Sequence, residues 1–371
     1  MPYCYYTCNL IPLDLIIRAG YTPRWLGGFL RDPTASTRRD APSVHPMTCP
    51  YVTKLVAAAD ALFGAAPDGG TSDDDASGAA DGSRPAASPD VLVVPGGCDA
   101  ARRMGDLLAA TYPDQVFVLP MPRGSEPEVA ETLATDLRGL EDWLGACRPA
   151  GTAPVTDAAA ATDTDQREPT GALSNVTQTD CCVPSLDYPS PPRQGGVFVI
   201  AGPLTDDSLL RLIERLGAHV SGLESCTSPD RWRPLAVAAG AAAAMSAAGA
   251  TREAEIDAAT RLAPLDHEAL AARLLEIGMC PRRSTTHRRD HLARRLDQSR
   301  PSSIIYARQS FCDPGAYDAL LAADLAKERG LPYLEIEVDF PFDANGPLHT
   351  RVEAFLEAQL LDEDLLSDLD Y

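Results

Sequence analysis

Residues 303–314 read SIIYARQSFCDP, a short apolar run that ends in a polar turn with Cys312 at its tip. The run reads as a buried strand, and the turn sets a reactive thiol beyond its end. The same grammar returns at residues 91–99, VLVVPGGCD, and at residues 219–226, HVSGLESC, where an apolar segment again leads into a loop that carries one cysteine. In open α/β sheets ligands bind in the crevice beyond the carboxyl ends of the strands. Cys98, Cys226 and Cys312 are therefore expected to converge in such a crevice.

Outward from these runs the pattern alternates. Upstream, the residues predict strands at 91–95 and 116–119 and helices at 100–110 and 126–147. A second unit follows, with strands at 197–201, 219–224, 303–307 and 333–338 and helices at 206–216, 282–296, 315–329 and 348–360. Between its second strand and the helix at 282–296, a helical tract is expected over 234–277. Alternation of this kind is the signature of a parallel sheet covered on both faces. Two shorter helices precede these units. Residues 12–20, PLDLIIRAG, begin with proline and end in glycine, and in HPMTCPYV the pair Cys49-Pro50 opens an apolar tract that runs to Phe63. Cys49 is thereby placed at a helix N-terminus, where free N–H groups favour the thiolate.

Residues 65–89 and 149–194 are rich in Ala, Asp, Thr, Gly and Pro and read as insertions. The expected organisation is an N-terminal α/β lobe at 1–148 with a disordered insertion at 65–89, a linker at 149–195, a C-terminal α/β lobe at 196–361 and a frayed acidic tail at 362–371. Cys181 and Cys182 fall in the linker and are weak ligand candidates, while Cys147 ends an amphipathic helix and reads as a packing residue.

A formal charge of -21 over 371 residues argues against nucleic acid as a partner, because phosphate binding needs a basic surface. No run approaches the roughly 20 apolar residues of a membrane span, and MPYCYYTCNLIP has neither the charged start nor the apolar core of a secretory leader. A cytoplasmic protein with reduced thiols is expected. Its cysteines are too far apart in sequence for a zinc ribbon, yet loops from two lobes could hold an iron-sulfur cluster between them. His287 and His291 form an i, i+4 pair on an arginine-rich helix and read as a solvated face rather than a zinc site. Neither a P-loop nor a G-x-S-x-G turn is present.

Taken in order, CNLIPLDLIIRAGYTPRWLGG, HPMTCPYV, VLVVPGGCDAARRM, VFVLPMPR, VFVIAGPLTDDSLLRLIERLGAHV, LESCTSPDRW, IIYARQSFCDPGAYD and GLPYLEIEVDF resemble the 2-hydroxyacyl-CoA dehydratase D-component family, which includes benzoyl-CoA reductase subunits and double-cubane cluster reductases. The resemblance implies two flavodoxin-like, Rossmann-like lobes with a 4Fe-4S cluster in the cleft between them, held by Cys49, Cys98 and Cys312. It implies the iron-sulfur subunit of an enzyme that dehydrates or reduces an acyl-CoA thioester through a ketyl radical. An ATP-dependent iron-sulfur activator would supply the electron, and a paralogous or identical subunit would complete a dimer. Double-cubane relatives use further cysteines, and Cys8, Cys226 and Cys280 stand at similar places, which implies as an alternative an 8Fe-9S cluster and a low-potential reductase of small molecules. A non-catalytic scaffold subunit is the third reading.

Overall fold

The computed structural model describes residues 2–8, 10–31, 44–64, 90–124, 126–148, 195–204, 207–226, 266–277, 280–339, 342 and 346–367. Both expected insertions, Cys181 and Cys182, and the tract 234–265 lie outside the described residues.

Eight strands form two parallel sheets of four. The first contains β1 (Tyr3–Tyr6), β2 (Thr22–Trp25), β3 (Val91–Gly96) and β4 (Val116–Pro120) in the order β2-β1-β3-β4. The second contains β5 (Val197–Ala201), β6 (Val220–Ser225), β7 (Ser303–Gln309) and β8 (Tyr333–Val338) in the order β6-β5-β7-β8. Each sheet starts on an inner strand, adds one neighbour and then crosses to the other side, as flavodoxin-like lobes do. The reversal falls between β1 and β3 in one lobe and between β5 and β7 in the other.

The second sheet shows why its inner strands β5 and β7 carry unbroken apolar runs. In β5, Val197, Val199 and Ala201 pack into one core with Ile305 and Ala307 of β7, while Phe198 and Ile200 pack into the other with Ile304 and Tyr306. Successive side chains point to opposite faces, so a sheet covered on both faces needs an apolar residue at every position. Helices α5 (Ser208–Arg215) and α9 (Gly346–Ser367) cover one face, and α7 (Thr285–Ser299) and α8 (Asp313–Glu328) cover the other. Helix α9 continues past the predicted end at Leu360, because no glycine or proline interrupts residues 348–367.

In the first lobe, α1 (Leu13–Arg18), α2 (Pro50–Phe63), α3 (Asp99–Thr111) and α4 (Pro127–Cys147) surround β3, whose Leu92, Val93 and Val94 are completely buried. Helix α6 (His267–Glu276) belongs to the later part of the chain, yet Leu270, Ala271, Leu274 and Leu275 bury themselves in this first core. It lies against α4, with His267 Nε2 2.8 Å from Glu141 Oε2 and Arg138 paired with Glu268. The expected C-terminal span of 196–361 thus encloses one helix that packs with the other lobe. Cys147 packs at the end of α4, with its thiol 3.6 Å from the Asp114 carbonyl.

Candidate metal centre

Three of the cysteines singled out by sequence occupy the same structural position, the N-cap of a helix. Cys49 caps α2, Cys98 caps α3 and Cys312 caps α8. At Cys98 the N–H of Ala101 donates to Sγ at 3.4 Å, and at Cys312 the N–H of Gly315 does the same at 3.4 Å. Sulfur here takes the place usually held by a Ser, Thr or Asp oxygen. Gly315 makes room for it, since a Cβ there would stand 3.2 Å from the Cys312 sulfur. At Cys49 the N–H groups of Val52 and Tyr51 favour the thiolate, though too loosely to form a defined cap hydrogen bond.

The electrostatics shows which sulfurs share a neighbourhood. Burial pushes the Cys312 thiol up to about 12, and negative charge on Cys49 and Cys98 pushes the same way against the Gly315 N–H. Burial also raises Cys49, with Cys98 adding to it, and raises Cys98, with Cys280 adding to it and the Arg282 guanidinium opposing. Cys8 is pushed up to about 12 by burial and then by Cys280, Cys226 and Cys98. Cys49, Cys98 and Cys312 thus lie within electrostatic range of one another, and Cys8 within range of Cys280, Cys226 and Cys98. All six are free thiols. Cys4 is left out of the neighbourhood because it points into the core from within β1 and is completely buried.

The strand ends explain the convergence. Cys98, Cys226 and Cys312 follow β3, β6 and β7 as the sequence predicts, and Cys8 follows β1, a strand the sequence reading missed. Cys226 and Cys312 line one recess in the second lobe, together with Ser225, Glu224, Arg308 and Gln309. A buried hydrogen-bond chain joins two of the thiol loops in the first lobe. Trp25 Nε1–H donates to the Tyr51 hydroxyl at 3.1 Å, and that hydroxyl donates to the Thr7 carbonyl at 2.6 Å. Tyr51 stands two residues after Cys49, and Thr7 directly precedes Cys8.

Among the described residues no three His, Cys, Asp or Glu side chains close around one point as a single metal ion would require. Residues 193–358 match the family model described as 2-hydroxyglutaryl-CoA dehydratase, D-component. The match spans the second lobe, from just before β5 to within α9. No curated protein matches the chain.

Beneath the recess of this lobe lies a buried ionic network that the sequence reading did not foresee. Arg288 on α7 donates to both oxygens of Asp318 at 2.7 and 2.8 Å and to Glu224 Oε1 at 2.9 Å. The Tyr306 hydroxyl donates to Asp318 Oδ2 at 3.0 Å. Glu224 stands two residues before Cys226 and Asp318 six after Cys312, so one guanidinium fixes both thiol-bearing elements of the lobe. His291 corrects the expectation of a solvated histidine face. Its side chain is 17% exposed and its Nε2 lies 3.0 Å from Glu224 Oε1, because α7 turns this side toward the end of β6. Only a tertiary neighbour sixty-seven residues away could have revealed that pairing.

Two further arginines flank Cys280. Arg283 is buried, and its guanidinium donates to the carbonyls of Leu274, Ile277 and Pro122. Arg282 Nη2 donates to the Met121 carbonyl at 2.6 Å. Together they pin the Cys280 loop to the exit of β4 in the first lobe.

Proposed function

We propose that this chain is the iron-sulfur subunit of a 2-hydroxyacyl-CoA dehydratase or benzoyl-CoA reductase-like enzyme, with Cys49, Cys98 and Cys312 as ligands of a 4Fe-4S cluster. The observation that carries the reading is the Cys49–Cys98–Cys312 triad, three N-capping thiols drawn from both lobes and held within electrostatic range of one another. The donor set fits the group. Thiolates are the usual ligands of iron-sulfur clusters, whose several irons bind sulfurs that are set too far apart for one ion. Burial keeps the free thiols protonated, and the helix N-termini offset the charge that they acquire when they bind iron.

Such a group supplies single electrons when bound, here for reduction of an acyl-CoA thioester to a ketyl radical, with an ATP-dependent activator as donor and a second subunit as partner. The residues of the chain position and shield. Tyr51 fixes the Cys49 helix against the Cys8 loop, and Arg288 fixes the Cys226 loop against the Cys312 helix. The α6 helix and the Arg282-Arg283 pair bring the Cys280 loop to the first lobe.

A second reading has its own support. Cys8 lies within electrostatic range of Cys280, Cys226 and Cys98, an arrangement suited to an 8Fe-9S double-cubane cluster and a low-potential reductase of small molecules. Iron and acid-labile sulfide in anaerobically purified protein separate the two. About four irons per chain, lost when Cys49, Cys98 and Cys312 are all changed to serine, are expected for the dehydratase reading. About eight, with dependence on Cys8, Cys226 and Cys280 as well, assigns the reductase. Iron content that ignores the triple serine variant would sink both.

A further inference from the structure

The chain carries 53 acidic against 32 basic side chains, so a half-buried cation without a carboxylate partner calls for an explanation. Arg282 and Arg283 are adjacent, and among the described residues neither pairs with a carboxylate. For Arg283 the explanation is local. Its guanidinium sits on the Leu274 and Ile277 carbonyls at the end of α6, where the free carbonyls of a helix C-terminus favour a cation.

Arg282 has no such seat. One terminal nitrogen donates to the Met121 carbonyl at 2.6 Å, and the other lies 3.7 Å from where a Cβ on Gly97 would stand. Its Nε is buried and has no hydrogen-bond partner among the described residues. An unmade hydrogen bond from a buried charged group is costly. Gly97 directly precedes Cys98, so the guanidinium lies against the loop that carries this thiol. A cation with an unused donor beside a candidate ligand suits negative charge that the protein itself does not provide.

We propose that Arg282 is the counter-cation of the group held by the cysteines, with its guanidinium stabilising the negative charge placed beside Cys98 and so raising the reduction potential. The inference rests on the iron-sulfur reading above. A positive charge and a donor next to a cluster favour its reduced, more negative state.

The test is a redox titration of anaerobically purified full-length protein, followed by its visible and electron paramagnetic resonance spectra. Arg282→Met should shift the reduction equilibrium at least tenfold toward the oxidised state, about 59 mV for one electron. Arg282→Lys keeps the charge and should stay within about threefold of wild type. Arg103→Gln removes an exposed charge paired with Asp106 and should leave the potential unchanged. If Arg282→Met folds poorly, Arg282→Gln takes its place with the same expected sign. An iron-loaded neutral variant that titrates with wild type overturns this inference and leaves the cluster reading intact. Wild-type protein without iron overturns the cluster reading and the inference together.

Discussion

Arg288 and Asp318 face each other through two parallel hydrogen bonds of 2.7 and 2.8 Å, with side chains 3% and 0% exposed. Arg288 also donates to Glu224, which Arg295 approaches to 3.5 Å from the other oxygen, and the Tyr306 hydroxyl adds a third bond to Asp318. Burial disfavours the charged guanidinium, but the two carboxylates more than offset it and hold the proton on Arg288. Removing one member of a buried ion cluster leaves the others charged and desolvated, which costs about 3–5 kcal/mol. Arg288→Met should lose stability on that scale in urea unfolding. Arg289→Gln, on the adjacent exposed pair with Glu328, should leave the unfolding midpoint where it was.

Two helical glycines should respond to alanine with opposite sign. At Gly105 on α3 an added Cβ would meet the two γ-methyls of Val118 at 2.9 and 3.2 Å and Val94 Cγ1 at 3.3 Å. The helix approaches β3 and β4 too closely for a methyl group, so Gly105→Ala should destabilise by about 1–3 kcal/mol. Gly139 on α4 is exposed and has nothing within 4 Å of the new atom. There alanine removes backbone freedom from the unfolded chain, and Gly139→Ala should stabilise by about 0.5–1 kcal/mol. Thermal unfolding of the two variants side by side checks both signs.

The alternation of strand and helix was legible because β5 is apolar throughout and β3 and β7 carry unbroken apolar runs at residues 91–95 and 304–307, as doubly covered strands do. The thiol positions were legible for the same reason, since Cys98, Cys226 and Cys312 stand just past such runs. Strands β1 and β2 were not. Tyr3–Tyr6 is four residues of mostly aromatic character, and Thr22–Trp25 carries Pro23, which disfavours a strand reading yet is accommodated because β2 is at the sheet edge. The Arg288 network and the Tyr51–Thr7 bond stayed hidden because each joins residues far apart in the chain that no periodicity links. The docking of α6 on the first lobe was hidden likewise, as its apolar face does not say which core it enters.

Backbone strain sets the next expectation. Arg300 ends α7 in the left-handed region, at φ 42°, with its N–H bonded to the Leu296 carbonyl at 2.8 Å. Glycine is the residue that this capping geometry favours, because it lacks the Cβ that clashes there. Arg300→Gly should therefore raise stability by about 1 kcal/mol. Arg300→Val, with a branched Cβ, should lower it, and equilibrium unfolding of both variants reads the difference.

Phe311, at φ 56°, carries the same strain one residue before Cys312, and it is 48% exposed. Phe311→Gly should stabilise the iron-free fold by about 1 kcal/mol. Its unfolding midpoint in urea should rise by the corresponding amount, and an unchanged or lower midpoint would show that the ring contributes packing that offsets the strain.

The thiols make the iron-free protein sensitive to alkali. Burial and neighbouring sulfurs raise Cys312 and Cys8 from 9.0 to about 12. A group whose folded pKa lies above its unfolded one contributes stability that is complete below the unfolded value and is lost as pH rises toward the folded one. Between about pH 9 and pH 12, iron-free protein should therefore lose about 1.4 kcal/mol per pH unit for each such thiol. Below pH 8 these two groups should leave its stability flat. Cys8→Ser and Cys312→Ser should each flatten the alkaline slope by one such increment. Iron-loaded protein should lack the Cys312 part of the slope, because a thiolate already bound to iron has no proton to lose, and should lack the Cys8 part as well only in the double-cubane reading. Chelator-stripped and loaded samples, unfolded in urea at pH 8 and pH 10, give the comparison directly. Equal losses in the two samples would mean that Cys312 does not hold the metal.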